Sequence, residues 1–367
     1  MAERIVVGAG LAGLVAAIRL ARKGNRVRVL EKYGNVGGQP ERWPAVDVTP
    51  MEPEKLSRYL GISIGEPQVK PCRRLNAYLW GEPFEVELKG TTLCCVERGP
   101  RDTALDRYLL EVALAEGVKV EFEHPVIGQG ALAALPPDTI IATGLYAESF
   151  QALGIPYQMG WCYGAKGRSE RDAEAAIYFG DYTTDYAYWA SSNGVDSILF
   201  FQRAPLRLGD LNECAREIEA TEGETVDWWM FGYGPTPTAK FNNPRLFASD
   251  KILAGTLSGM LEPFVLFGVH GALVSGRIAA MAVDDRNEAY REFKRCLAAW
   301  KGMYLNRRVY EVVPPGMRRM MATGLNRFLA ALGPDTAGRA LRKGFAAVPG
   351  FVRVNRLRER DLLALPE

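Results

Sequence analysis

Gly8, Gly10 and Gly13 stand in the spacing G-x-G-x-x-G, and the acidic Glu31 follows about 20 residues later. Residues of these types at this spacing can hold the pyrophosphate of a dinucleotide. The first glycine makes a tight turn, the second lets the backbone approach the phosphates, and the third lets a helix pack closely on a strand. Leu11, Ala12 and Gly13 then offer amide groups at a helix N-terminus, where partial positive charge meets phosphate. Glu31 can accept hydrogen bonds from ribose hydroxyls. The competing reading is a glycine-rich structural turn with no ligand.

The elements that must position these groups surround them in the chain. Residues 4–7 read as a short buried strand. Residues 14–23 carry apolar side chains at helical spacing up to Gly24, a good C-terminal cap, and residues 26–31 alternate as a second strand ending in Glu31. This strand, glycine turn, helix and strand supply the context that a lone glycine pattern lacks. Residues 34–95 read as irregular and rich in Gly and Pro, with strand-like runs at 84–88 and 91–96. An amphipathic helix is expected over 104–115, and strands over 118–122 and 138–142. Aromatic-rich, strand-forming sequence covers 157–232, with a charged helical segment near 212–220. A last short strand starts at 252–253, and a Gly/Ala-rich helix suited to close packing covers 268–283. Gly128 and Gly130 superficially repeat the first motif, but Pro136 and Pro137 end any helix there too soon for a second βαβ unit.

Composition narrows the class. The 367 residues suggest about two domains. A net charge of +2 gives the whole molecule no bias toward nucleic acid. That average hides an asymmetry: residues 301–367 hold 13 Lys/Arg against 5 Asp/Glu, and the first 300 hold 32 against 38. Six cysteines without a C-x-x-C pair, and only two histidines, His124 and His270, argue against a zinc site and for a reducing, cytoplasmic setting. Cys94 and Cys95 are neighbours whose side chains point to opposite faces of a strand, which suits packing better than redox pairing. The apolar strand beginning at Ile5 leaves no room for a signal peptide. The longest run of membrane-like character, 266–283, is broken by His270 and Arg277.

The sequence from Glu31 through Lys32 to Gly37-Gly38-Gln39 resembles the glutathione-reductase-like flavoproteins, where an acid precedes a Gly-Gly pair beside the FAD pyrophosphate. Two further segments carry the resemblance: Ala142-Thr143-Gly144 at a strand end, and the run from Ile252 through Gly255-Thr256 to Pro263, followed by Gly268-Val269-His270 at a helix start. In these proteins that helix points its N-terminus at the flavin pyrimidine edge, where reduction places negative charge. The family's usual Asp after the glycine of this motif is Thr256 here, a hydroxyl in place of a carboxylate. Arg98 and Asp106, just before a helix, and the aromatic Tyr186-Ala187-Tyr188-Trp189 are similar to segments of the geranylgeranyl reductase branch of the p-hydroxybenzoate-hydroxylase-like proteins. That branch usually follows the aromatic segment with Phe-Pro, where Ala190-Ser191 stands here, and many members have Cys where Val36 stands.

The resemblance implies an α/β fold with a Rossmann-like FAD-binding domain (1–62, 96–150 and 245–300) interleaved with a mixed β-sheet substrate domain (63–95 and 151–244). A helical basic segment (301–367) follows. It also implies FAD as cofactor and hydride transfer between flavin N5 and an apolar substrate, isoprenoid or lipid among the options. NAD(P)H, ferredoxin and a quinone stay open as the external donor or acceptor. Candidate proton donors are Tyr186, Tyr188, Cys162 and His270, although Cys162 also reads as strand packing and His270 as a small polar plug at a helix start. Trp80, Trp161, Trp189, Trp228 and Trp229 fit either a cavity lining or an aromatic core. Cations mixed with Met, Leu and Phe over 317–345 fit a membrane surface or an ordinary solvated face. Two other functions remain: an FAD monooxygenase on an aromatic ring, and a non-catalytic partner protein with a flavin site made degenerate by Thr256.

Overall fold

In the computed structural model the described residues are 3–84, 93–203, 207–225, 230–237, 243–298, 300–331 and 362–363. Aliphatic residues at Glu3–Val7 (β1) and Arg26–Leu30 (β2) form two parallel strands, with Val6 opposite Val29. Parallel neighbours need a crossover, and the helix Leu11–Ala21 (α1) provides it. β1 lies inside a six-stranded sheet. Its order is Phe247–Ala248 (β15), Lys251–Leu253 (β16), Ile140–Ile141 (β9), β1, β2 and Lys119–Glu121 (β8). All pairings but β15–β16 are parallel.

α1 is apolar nearly all round because it is covered nearly all round. The sheet, Leu105–Ala115 (α3) and Val269–Ala282 (α7) enclose it. Close approach of α7 needs small residues: a Cβ on Gly276 would lie 2.4 Å from the carbonyl oxygen of Ala12. Pro53–Leu60 (α2) adds Leu56, Tyr59 and Leu60 to the same core. This helix falls in a region expected to be irregular. Its flanking Pro53 and Gly61 read as breaks, yet they are the first helical residue and a left-handed C-terminal cap.

The second sheet has the order Met230–Pro237 (β14), Tyr157–Arg168 (β10), Val195–Gln202 (β13), Tyr186–Ser192 (β12), Glu174–Phe179 (β11), Arg74–Leu79 (β5) and Glu82–Phe84 (β6). Asn193 and Gly194, both at positive φ, form the two-residue turn between β12 and β13. Period-two alternation sorts the side chains of these strands. Ala187, Trp189, Ile198 and Phe200 face Leu208–Glu222 (α6), while Tyr186, Tyr188 and Leu199 face the other way.

A three-stranded sheet of Ala45–Pro50 (β3), Leu93–Arg98 (β7) and Val69–Pro71 (β4) joins the two layers. On β7, Cys94 enters the main core and Cys95 the second one, as their adjacency predicts, and all six cysteines are free. Gly128–Ala133 (α4) stops after six residues, short of a second dinucleotide unit, and Ala147–Ala152 (α5) packs beside it. Arg286–Ala298 (α8) packs on α7. Lys301–Val312 (α9) and Pro315–Ala331 (α10) begin the basic segment. Trp228, Trp229 and residues 339–345 lie outside the described residues. Among the described residues no helix is long and apolar enough to cross a membrane.

Candidate active site

A cleft of about 380 Å³ runs between the glycine turn after β1 and the inner face of the second sheet. Gly8, Gly10, Leu11 and Ala12 form one edge. Gly8 has a φ of +101°, and a Cβ there would lie 2.5 Å from the carbonyl oxygen of Ala142. A Cβ on Gly13 would lie 1.9 Å from the carbonyl oxygen of Gly8, so Gly13 stands behind the cleft and permits the turn. Gly10 differs from both. A Cβ there would meet nothing within 4 Å, so the space above it is open to the cleft. Gly10 also begins α1 with no side-chain cap and no acid in the first turn, which leaves the first amides for a ligand.

Glu31 closes the end of β2. Its Oε2 accepts from the Ala9 amide at 2.6 Å and its Oε1 from the Tyr33 amide at 3.0 Å. Burial raises its pKa, against which the amides of Tyr33, Ala9 and Lys32 favour the charged form. A carboxylate has about four acceptor sites, so room remains for ribose hydroxyls. The Lys32 amine bonds the Tyr146 hydroxyl and lies 3.8 Å from that ring's centroid. Gly37, Gly38 and Gln39 continue the lining, with both glycines at positive φ. Gly144, Gly255 and Thr256 border it from the sheet side, and the Ser275 hydroxyl accepts from the Gly255 amide at 2.7 Å. Gly268 and Val269 bring a second helix N-terminus, that of α7, to the same space, again without a side-chain cap or acid. Pro263 does not line the cleft.

The opposite wall is aromatic. Tyr186, Tyr188 and Phe201 form a stack with centroids 4.9 Å (Tyr186–Phe201) and 6.4 Å (Tyr186–Tyr188) apart. The Tyr186 hydroxyl donates to the carbonyl of Val265. The Tyr188 hydroxyl donates to Oδ1 of Asp47 at 3.1 Å. Oδ2 of Asp47 accepts from Arg98 at 3.0 Å, and Arg98 grips the fully buried Asp106 through two bonds of 2.7 and 3.0 Å. Burial disfavours the Arg98 charge, but Asp106 and Asp47 outweigh it and hold the guanidinium above its ordinary pKa. Burial, then the nearby Asp47 charge, pushes the Tyr188 phenol well above its ordinary range. Burial and Glu262 do the same for Tyr186. Both phenols therefore keep their protons at neutral pH. Cys162 lines the cleft too, and burial raises its thiol.

His270 requires a correction as a candidate proton donor. It is the second residue of α7, buried, and does not line the cleft. Neither ring nitrogen has a hydrogen-bond partner, and burial lowers its pKa to about 4, so it packs as a neutral imidazole. Among the tryptophans, Trp161 lines the cleft. Trp189 packs on the α6 side with its Nε1 donating to Asp196, and Trp80 donates to Asp181 away from the cleft. The sequence does not single out Asp47. Its signal is one acid inside Ala45-Val46-Asp47-Val48, a strand sequence hidden in a stretch read as irregular. Nor does the sequence single out Asp185 and Arg203, at another part of the lining. Arg307 of α9 forms a buried ion pair with Asp185, and Arg203 pairs with Glu311.

Comparisons agree with this architecture. The family model of the NAD(P)-binding Rossmann-like domain matches residues 6–49, the segment from β1 through most of β3. No curated protein sequence matches the chain. Among solved structures, a geranylgeranyl bacteriochlorophyll reductase-like protein from Thermoplasma acidophilum superposes with a TM-score of 0.69 at 12% identity, covering 95% of this chain and 98% of that one. The p-nitrophenol 4-monooxygenase of Pseudomonas putida gives 0.60 at 13% identity, over 95% and 100%. A 2-methyl-3-hydroxypyridine-5-carboxylic acid oxygenase gives 0.57 at 15%, over 86% and 95%. The chain thus has a Rossmann-type α/β fold with a separate, mainly antiparallel sheet in which β11 and β5 pair in parallel, the fold of these three proteins. At these identities the likeness is one of fold.

Proposed function

We propose that the protein is an FAD-dependent oxidoreductase that transfers hydride between the flavin and an apolar substrate held against the β12–β13 wall. The observation that carries this reading is the continuity of the cleft: the open glycine cradle and the aromatic wall line one space. The residues present fit the cofactor. The open space above Gly10, the uncapped N-termini of α1 and α7 and the acid at the end of β2 supply what a pyrophosphate, an electron-rich ring edge and a ribose each require. When bound, the flavin supplies the two-electron chemistry.

The chain's own residues bind, orient and handle the proton. Tyr186, Phe201 and Leu199 offer an apolar surface that excludes water from the reacting carbon. Tyr188 holds a phenolic proton beside that surface, and Asp47, fixed by Arg98, orients its hydroxyl. Reduction of a carbon–carbon double bond needs one hydride and one proton, and Tyr188 is the candidate for the proton. The shared fold with two ring oxygenases supports a second reading, hydroxylation of an aromatic ring, in the same cleft.

The first test is the absorbance spectrum of the purified protein before and after anaerobic dithionite. Flavin bands that bleach on reduction are expected. A colourless protein that gains no bands with added FAD would overturn the proposal and favour a partner protein with a degenerate site. With flavin bound, NAD(P)H consumption that requires both O₂ and a phenolic substrate would select the oxygenase reading over the reductase.

A further inference from the structure

α10 docks on the protein through its polar side. Arg318 donates to the Thr184 carbonyl at 3.3 Å and stacks 4.1 Å from the Tyr310 ring centroid. Arg319 lies 3.7 Å from Asp181, and the Asn326 amide donates to the Pro83 carbonyl at 3.3 Å. The other side of the helix is left to solvent: Met317, Met320, Met321 and Phe328 are exposed, Met320 by 64% and Phe328 by 60%. α9 buries Met303 and Tyr304 on its inner side but also carries an apolar stripe outward. Its Arg307 is buried against Asp185, while Leu305, Val309 and Val312 share one outward face at helical spacing, with Val312 78% exposed. A surface helix ordinarily turns its apolar stripe inward and its charges outward. These two carry an apolar stripe outward as well, and a cluster of exposed apolar side chains marks a surface made to be covered.

Charge selects what covers it. Arg308 and Arg327 are exposed on these helices, and residues 312–331 contain no Asp or Glu. A second copy meeting this face about a two-fold axis would set arginines against arginines with few carboxylates to pair them. An anionic lipid surface supplies apolar depth and negative headgroups together. Position adds a reason. Asp185 and Arg203 line the cleft, and they are the residues that Arg307 and Glu311 hold.

We propose that the outward face of α9 and α10 docks on an anionic lipid bilayer and seats the Asp185–Arg203 part of the cleft toward it. The docking itself is independent of flavin chemistry. Only its use, entry of an apolar substrate from the bilayer, rests on the function proposed above.

The test is sedimentation of the full-length protein with vesicles of phosphatidylcholine alone and of phosphatidylcholine mixed with phosphatidylglycerol. Pelleting with the mixed vesicles, weakened by salt, is expected. M320E/F328E should abolish pelleting while circular dichroism stays unchanged. Each of R308E and R327E should lower partitioning by roughly fivefold or more. Absence of pelleting on anionic vesicles, or pelleting indifferent to lipid charge, would overturn the proposal. So would a wild-type dimer in light scattering that M320E/F328E dissociates, which would make this face a contact between copies. A protein that binds no flavin yet pellets would sink the proposed function and leave the docking surface standing.

Discussion

The two sides of the cleft are built on different principles. The cradle recognises with backbone: Gly8, Gly10, Gly37, Gly38 and Gly144 lack side chains, and Gly10 and Gly268 open the helices α1 and α7 toward the cleft. The wall recognises with side chains: Tyr186, Tyr188, Phe201, Asp47 and Arg98 come from four strands of two sheets. A backbone site tolerates almost no added atoms but depends little on distant residues. A side-chain site tolerates chemical change but depends on a buried support. In this molecule that support is the Arg98–Asp106 pair, which no ligand need touch for the wall to stand.

Four experiments would break or sharpen that contrast. The largest effect is expected from G13V, whose Cβ would occupy the space of the Gly8 carbonyl. It should cost more than about 4 kcal/mol and leave little folded protein. A melting temperature near wild type would show that the turn can relax. Next comes R98M, which leaves the buried Asp106 with the Gly99 amide as a partner and should cost about 3–5 kcal/mol in urea unfolding. Adding D106N should recover much of this, and no recovery would mean that Arg98 acts through packing rather than charge.

The third concerns acid. Folded His270 titrates at about 4, below the roughly 6.5 of an unfolded histidine. As pH falls from about 6.5, the unfolded chain takes up the proton first, so stability present at neutral pH is lost down to pH 4, by about 3 kcal/mol in all. H270L should flatten that loss. An unchanged acid slope in the variant would assign it to other groups. The smallest effect belongs to G10A. Its Cβ has open space and its φ of −78° suits alanine, so the fold should be untouched. FAD affinity by titration should nonetheless fall roughly tenfold, because the methyl group enters the space a pyrophosphate would approach. Unchanged affinity would remove the cradle from the proposed site.

The same contrast explains how much was legible beforehand. The cradle could be read because its parts are neighbours in the chain: Gly8 to Gly13 and Glu31 lie within one βαβ unit whose periodicities are visible. The small-residue helix α7 was legible because only Gly271 and Gly276 let it approach Met260 and Ala12. Tyr186 and Tyr188 could be named as candidates, but their partner could not. Asp47 lies 141 residues from Tyr188 and meets it through three-dimensional pairing of two sheets. For His270 the helix phase turns the residue inward, which selects the small polar plug over the proton donor. The basic segment fits a membrane surface or a solvated face by sequence, and its arginines Arg307 and Arg318 brace the helices to the body, a role the sequence gives no sign of.

The place of α1 in the molecule has a consequence for synthesis. Its apolar faces are finished by α3 and by α7, and α7 begins about 250 residues after α1 ends. At a ribosomal pace of about 5–20 residues per second, that interval is roughly 12–50 s. Through all of it the side of α1 that α7 will cover stays open, although α3 and the sheet strand β9 are made much earlier. The helix behind the glycine turn is therefore finished late in synthesis, by the last large element of the main core.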